Sequence, residues 1–255
     1  MTTTVTATPQ PDATPPRIRL DITTDQTSLT VYRVAADGST VAVRTYDGGP
    51  LTVTGGSTFL YDPEAPQGEP VSYTTDDPAT TGSATVTVDS GQVWLTHPNA
   101  PSRSVPVRVS AVSDRTAPAN QSVRYPLGRQ FPIVANDGQR KAPAYTLTVL
   151  TSGDGDAAAL EALLNDLSTL LLNVPASRGW VGMGTEYVSV GDLAVSNPGR
   201  VVTSVNRLWD LPCTVTDRPS GGSMAFNTYG TSKTLYATYA ARKAAHATYG
   251  AAFDS

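Results

Sequence analysis

The 255-residue chain has little of what most protein chemistry needs. It contains one cysteine, Cys213, and two histidines, His97 and His246. A single thiol excludes an internal disulfide and any cysteine-based zinc cluster. With neither HExxH nor CxxC, no metal site and no cofactor is expected. Gly-x-Ser-x-Gly, a Walker A loop and a Gly-x-Gly-x-x-Gly turn are missing too. Three lysines stand beside fifteen arginines, the formal charge is −4 and the pI is about 5.1. Such a balance does not suggest a nucleic-acid groove, whose electrostatics need clustered positive charge, so no sequence-specific nucleic-acid partner is expected. No apolar run approaches the roughly 20 residues of a membrane-spanning helix. The opening "MTTTVTATPQPDATPP" carries neither the basic nor the apolar part of a signal peptide, so synthesis in a cytoplasm is expected.

What the chain does have is 21 glycines and 20 prolines among many threonines and valines, which favours β-structure broken by turns. The expected fold is mainly β. Residues 1–16, small, polar and proline-rich, read as a disordered tail. Residues 17–90 read as an N-terminal β-sandwich with turn signals about every ten residues. Its best hairpin is "LTVYRVAADGSTVAVRTY", turning at Asp37-Gly38. "PLTVTGG", "STFLYDPEAPQGEPVSYTT" and "GSATVTVD" supply further strands. "EAPQGEPVSYT" resembles the F-strand region of fibronectin type III or Ig-like modules, where a proline-rich loop precedes a strand carrying a tyrosine, here Tyr73.

Residues 91–220 read as a second β unit, a sandwich or split barrel with one α-helix near 156–168. "VWLTHP" and "SVPVRVSAV" are strand-like, and "FPIVANDGQRKAPAYTLTVLT" reads as a hairpin around Asn136-Asp137-Gly138. In "GDGDAAALEALLNDLSTLLL", Leu160, Leu163, Leu164 and Leu167 form one apolar helix face, with Asp154 or Asp156 as N-cap. "TLLLNVP", "TEYVSVGDLAVS" and "NRLWDLPCTVTDRP" are extended. In the last, Leu211, Cys213 and Val215 share a face, so Cys213 is expected in the core as a small hydrophobe with a raised pKa.

Residues 221–255 read as a hinge, formed by "SGGS" at 220–223, and a C-terminal helix. Thr-Tyr recurs at 228/229, 238/239 and 248/249, and Tyr229, Tyr236, Tyr239, His246 and Phe253 step by 7, 3, 7 and 7. On a helix this is one aromatic stripe. It serves either to pack the helix on its own domain or to present Tyr229, Tyr236, Tyr239, Tyr249 and Phe253 to a neighbouring subunit; disorder of the segment is the third alternative.

No residues gather into an obvious catalytic set. "DGD" at 154–156 lacks the further oxygen donors of an EF-hand and reads as helix capping, with a weak calcium site as the alternative. Asp76-Asp77 reads as a solvated loop. A glycosidase needs two carboxylates facing across a cleft, and a Ser–His–Asp triad would have to form around His97 without local support. Trp94, Trp180 and Trp209 are too dispersed to predict a carbohydrate platform and read as core residues.

The order "TLTVLTSGDGDAAALEALLNDLSTLLLNVP", "GWVGMGTEYVSVGDLAV", "RLWDLPCTVTDRPSGGS", with "VWLTHPNAPSRSVPV" and "YPLGRQFPIV" before it, resembles minor tail proteins of actinobacterial tailed phages. The resemblance covers 93–223 and extends less fully into the sandwich before it. Aromatic repeats often follow "DRP" in such proteins, with Trp common where this chain has Tyr. The resemblance implies a distal-tail-like β-barrel domain over 91–220 and a place in the virion tail tip, after synthesis in the bacterial host cytoplasm. It also implies a ring or hub joining the tail tube to tip and host-binding parts, with six copies favoured over three. The implied partners are the chain itself, the tail tube protein and other tail-tip or hub proteins.

Three functions follow as expectations. A structural, non-enzymatic tail-tip subunit self-associates and turns nothing over. An adhesion module binds a host-surface glycan through the N-terminal sandwich. A cell-wall hydrolase depends on His97 or on a carboxylate such as Asp76.

Overall fold

The computed structural model describes residues 2–125, 127–128, 130–166, 169–178, 183–198 and 205–221. The expected C-terminal helix and its five aromatic residues therefore lie outside the described residues, as do Leu167, Trp180 and His246. The fold is mainly β, with one α-helix among the described residues. By contact, residues 2–106, 171–185 and 219–221 form one compact unit, and 107–170 and 186–218 the other. This differs from the consecutive stretches 17–90 and 91–220 that patterning predicts, because long-range pairing takes later segments back to the first unit. Asn173, for example, donates its side-chain amide to the Ala65 carbonyl at 2.9 Å.

The first unit begins with β1 (Thr4–Gln10), β2 (Arg17–Thr23), β3 (Ser28–Leu29) and β4 (Val31–Ala35). It continues with β5 (Thr40–Ala42), β6 (Leu51–Thr52), β7 (Ser57–Asp62) and β8 (Val71–Thr75). The sheets run β1-β2-β7, β5-β4-β8 and β3-β6. Period-two alternation in β2 turns Ile18, Leu20 and Ile22 into a core that also takes Val5, Val31, Val71 and Tyr73.

Residues 4–10, expected within a disordered tail, instead form a strand. β1 pairs with β2 along its whole length, from Thr4↔Thr23 to Gln10↔Arg17, and Val5 is buried. Its threonines suit a pleated surface, and Pro9 is tolerated because β1 is an edge strand. The β4–β5 hairpin forms at Asp37-Gly38, as a three-residue loop closed by the Ala35 N–H to Ser39 carbonyl bond of 2.9 Å. Gly38 takes the positive-φ place such a loop requires, φ 83°. "GSATVTVD" makes isolated bridges through Val86 and Val88, not a strand.

Next come β9 (Val93–Thr96), a 3-10 turn at Pro101–Arg103, β10 (Val105–Val112), β11 (Ala119–Arg124), β12 (Ile133–Arg140) and β13 (Ala144–Thr151). After them stand α1 (Asp154–Leu164), β14 (Leu170–Asn173), β15 (Glu186–Val190), β16 (Ala194–Ser196) and β17 (Arg207–Val215). One sheet runs β13-β10-β9-β14-β15-β17-β16, and pairing of β13 with β17 closes six of its strands into a barrel. That closing pair spans Ala144↔Thr214 to Thr151↔Arg207 and buries Tyr145, Leu147, Val149, Trp209, Leu211 and Cys213.

Helix α1 is capped by Gly153 with no side-chain capping bond, and Asp154 and Asp156 lie within the first turn, where the helix dipole favours them. The expectation of an aspartate N-cap is corrected accordingly. Leu160, Leu163 and Leu164 form its buried face.

The hairpin expected around Asn136-Asp137-Gly138 is also corrected. Those residues lie inside β12, where Ala119↔Arg140 gives way to Gln121↔Asn136, so three residues of β12 stand opposite one of β11. Gly138, at φ 79°, makes a bulge there rather than a reversal. The reversal falls between Arg124 and Ile133, and β11–β12 form a ribbon of their own.

Candidate interaction surface

His97, Asp76, Asp77, Trp94, Trp209 and Cys213 each take part in local structure. The His97 ring Nδ1 accepts the Asn99 and Ala100 N–H groups at 3.2 and 2.9 Å, organising the turn into the 3-10 segment. Its own backbone N–H donates to Ser104 Oγ at 3.1 Å, so this serine holds the loop. Asp76 accepts the Thr30 N–H at 2.9 Å. Asp77 accepts the Thr3 hydroxyl at 2.5 Å and the Ala79 N–H at 2.9 Å, and these bonds hold its pKa below the usual carboxylate range. The loop is solvated as expected, with Asp76 exposed, and its two carboxylates also tie three chain segments together. Among the described residues no three His, Cys, Asp or Glu side chains gather as a metal site. Cys213 is buried, and burial pushes its thiol up to about 12, away from the reactive thiolate. Trp94 and Trp209 are core residues.

Sequence reasoning missed a buried ionic cluster in the first unit. Asp62 accepts two bonds from Arg33 Nη1, at 3.0 and 2.8 Å, and the Tyr73 hydroxyl at 3.0 Å. Burial alone would lower the Arg33 pKa, and Asp62 more than offsets it. The Tyr73 hydroxyl is pushed up, first by burial and then by Asp62. Two residues on, Glu64 accepts Arg44 Nε at 3.0 Å; Arg44 also donates to Asn99 Oδ1 at 3.2 Å, to the Pro219 carbonyl at 2.8 Å and to the Gly221 carbonyl. "DPE" at 62–64 was the available signal, since two carboxylates around a proline end strand β7. With both carboxylates paired to guanidinium groups, the cluster fastens a loop and the chain at 219–221.

The most unusual surface belongs to the second unit. The β11–β12 ribbon exposes six large apolar side chains within twelve residues: Val123, Tyr125, Leu127, Phe131, Ile133 and Val134. Tyr125 is 74% exposed, Phe131 76% and Leu127 fully. Cross-strand pairs Val123↔Val134 and Arg124↔Ile133 hold the ribbon together. Its base is fixed by Lys141 N–H to Pro118 carbonyl at 2.9 Å and by the Thr116–Ala144 bridge. Alternation along these strands promises one buried face, yet the ribbon exposes these apolar side chains. A two-stranded ribbon is marginal alone, and six exposed apolar side chains within twelve residues are uncommon on a solvated surface.

A second ordered surface lies on the outward face of β1-β2-β7. Arg17 stacks over Tyr61 with its guanidinium carbon 4.3 Å from the ring centroid, and Arg19 over Phe59 at 5.4 Å. Gln10 accepts Arg17 Nε at 3.0 Å, and Asp21 pairs with Arg19 at 2.7 Å. Cross-strand cation–π pairs of this kind hold guanidinium groups flat against the sheet. Comparison with protein-family models and with curated proteins gives no match to this chain.

Proposed function

We propose that the protein is a structural, non-enzymatic subunit of a phage tail tip, a distal-tail or baseplate ring or hub component that assembles with copies of itself. The observation that carries the reading is the apolar β11–β12 arm, which leaves Phe131 and Leu127 in water unless a partner covers them. The mainly β fold with a closed barrel and, among the described residues, one α-helix supports it, together with the resemblance of residues 93–223 to actinobacterial phage minor tail proteins. The finer assignments belong to the same proposal: a fibronectin III-like sandwich in the first unit, a tail-tube partner and a place in the virion. Native mass spectrometry of the full chain tests it. One closed ring species, lost on Phe131→Asp, is the expected result. A strict monomer at every concentration, or clearing of peptidoglycan, overturns it.

The outward face of β1-β2-β7 favours a second reading, adhesion to a host-surface glycan. Aromatic rings under planar arginines, flanked by Gln10 and Asp21, offer stacking beside bidentate polar contacts. Retention of the full chain on cell-wall polysaccharide, lost in Tyr61→Ala and Arg17→Ala, is the corresponding test. Equal retention of variants and wild type sinks it.

A further inference from the structure

We infer that the arm of one copy seats in the groove between α1 and β16 of a neighbouring copy, so that the chain associates head to tail. The inference rests on the self-assembly reading and adds the receiving surface. The groove, about 480 Å³, lies wholly within the second unit. Its apolar lining is Ala157 and Ala158 of α1, Leu193 and Val195 beside and on β16, and Trp209 of β17.

Three observations select this partner. The first is the distribution of apolar surface. Among the described residues of the second unit, the large apolar side chains left exposed outside the arm are Leu193, Val195 and Val205, and the first two line the groove. Seating the arm there removes both patches from water at once. β16 also ends the sheet order, so its outer edge offers backbone groups beside the groove.

The second observation is charge. Residues 119–141 carry Arg124, Arg129, Arg140 and Lys141 against Asp137 alone. Residues 154–166, which form α1 and the turn after it, carry Asp154, Asp156, Glu161 and Asp166 with no basic residue. Asp154 and Glu161 face the groove, with Arg207 4.0 Å from Asp154 as the one cation among the lining residues. A basic arm and an acidic groove attract each other although the whole chain is acidic.

The third is position. The base of the arm is joined to Ala144, where β13 starts, whereas the groove lies at the other end of the β13–β17 pair, around Thr151↔Arg207. At roughly 3.3 Å per residue, those ends stand about 23 Å apart. Two complementary patches at opposite ends of one element make a heterologous contact, the kind that closes rings.

The test uses two full-length variants at exposed positions, Phe131→Asp on the arm and Val195→Asp in the groove, measured by mass photometry. Each alone is expected to weaken self-association by at least about tenfold while its melting temperature matches the wild type. Mixed, they are expected to form a 1:1 dimer of twice 26.7 kDa and nothing larger, because only one arm and one groove remain competent. Glu161→Lys, which leaves the apolar lining intact, should weaken association and reduce its salt dependence. If Val195→Asp assembles like the wild type, or the mixture stays monomeric, the groove is not the seat and the inference fails while self-assembly stands. A wild type that is monomeric at every concentration overturns both.

Discussion

At Cys213 the surroundings decide the chemistry. The thiol sits between Leu211 and Val215 on the barrel-facing side of β17, and burial raises its pKa to about 12. In the folded chain it should resist iodoacetamide at pH 8 and react once denaturant is added; rapid alkylation of the native protein would show the side chain is accessible. The same shift sets a sign for alkaline stability. Between the unfolded value, near 8.5, and about 12, the native state keeps a proton that the unfolded state gives up. Stability therefore falls as pH rises through that window, by up to about 1.4 kcal/mol per unit. Urea midpoints at pH 8 and 10.5 should converge in Cys213→Ala, though not fully, because Tyr73 and Tyr145 are shifted in the same direction. The Arg33–Asp62 pair makes a second residue-scale case. Asp62 is 1% exposed, so Arg33→Met leaves a carboxylate buried without its guanidinium and should cost about 3 kcal/mol in urea denaturation. A loss below about 1 kcal/mol would mean that solvent reaches the site.

Among elements, the loop from Asp62 to Gly68 is held more tightly than its prolines suggest. Gln67 accepts the Ser90 N–H and hydroxyl at 3.0 and 2.6 Å, and its own backbone N–H donates to Asn173 Oδ1 at 3.2 Å. Gly68 then turns at φ 77°, where an added Cβ would lie 2.8 Å from the Ala176 Cβ. Strain and overlap act together in Gly68→Ala, which should cost about 2 kcal/mol and lower the melting temperature by several degrees. An unchanged melting curve would mean Ala176 moves aside freely. The β11–β12 arm behaves oppositely. Its exposed tip contributes little to the stability of one copy, so Leu127→Asp should leave the melting curve unchanged and alter only association.

For the whole molecule, a charge of −4 makes copies repel weakly, while the proposed contact would bring the basic residues of 119–141 against the acidic residues of 154–166. Raising salt from 0.05 to 0.5 M shortens the screening length to under about 5 Å. The dissociation constant of the assembly should then rise several-fold, as sedimentation equilibrium would show. Association that strengthens with salt would point to apolar contact alone. His97 and Asp76, the residues on which the hydrolase expectation rests, each accept backbone amides, of Ala100 and Thr30 respectively.

Local period determined much of this protein. The alternation of β2, the β4–β5 hairpin, the leucine face of α1 and the inward side of Cys213 each depend on neighbours a few residues away, and all are legible in the sequence. The tertiary structure alone decided the rest. Threonine-rich residues 4–10 are a strand because β2 lies beside them, and Gly138 is a bulge because β11 continues opposite it. Asp62 is buried because Arg33, far off in sequence, reaches it. Val123, Phe131 and Val134 carry the signature of a core yet stand in solvent. A side chain's pattern states which face it joins; whether that face is covered depends on what long-range pairing, or another copy, brings against it.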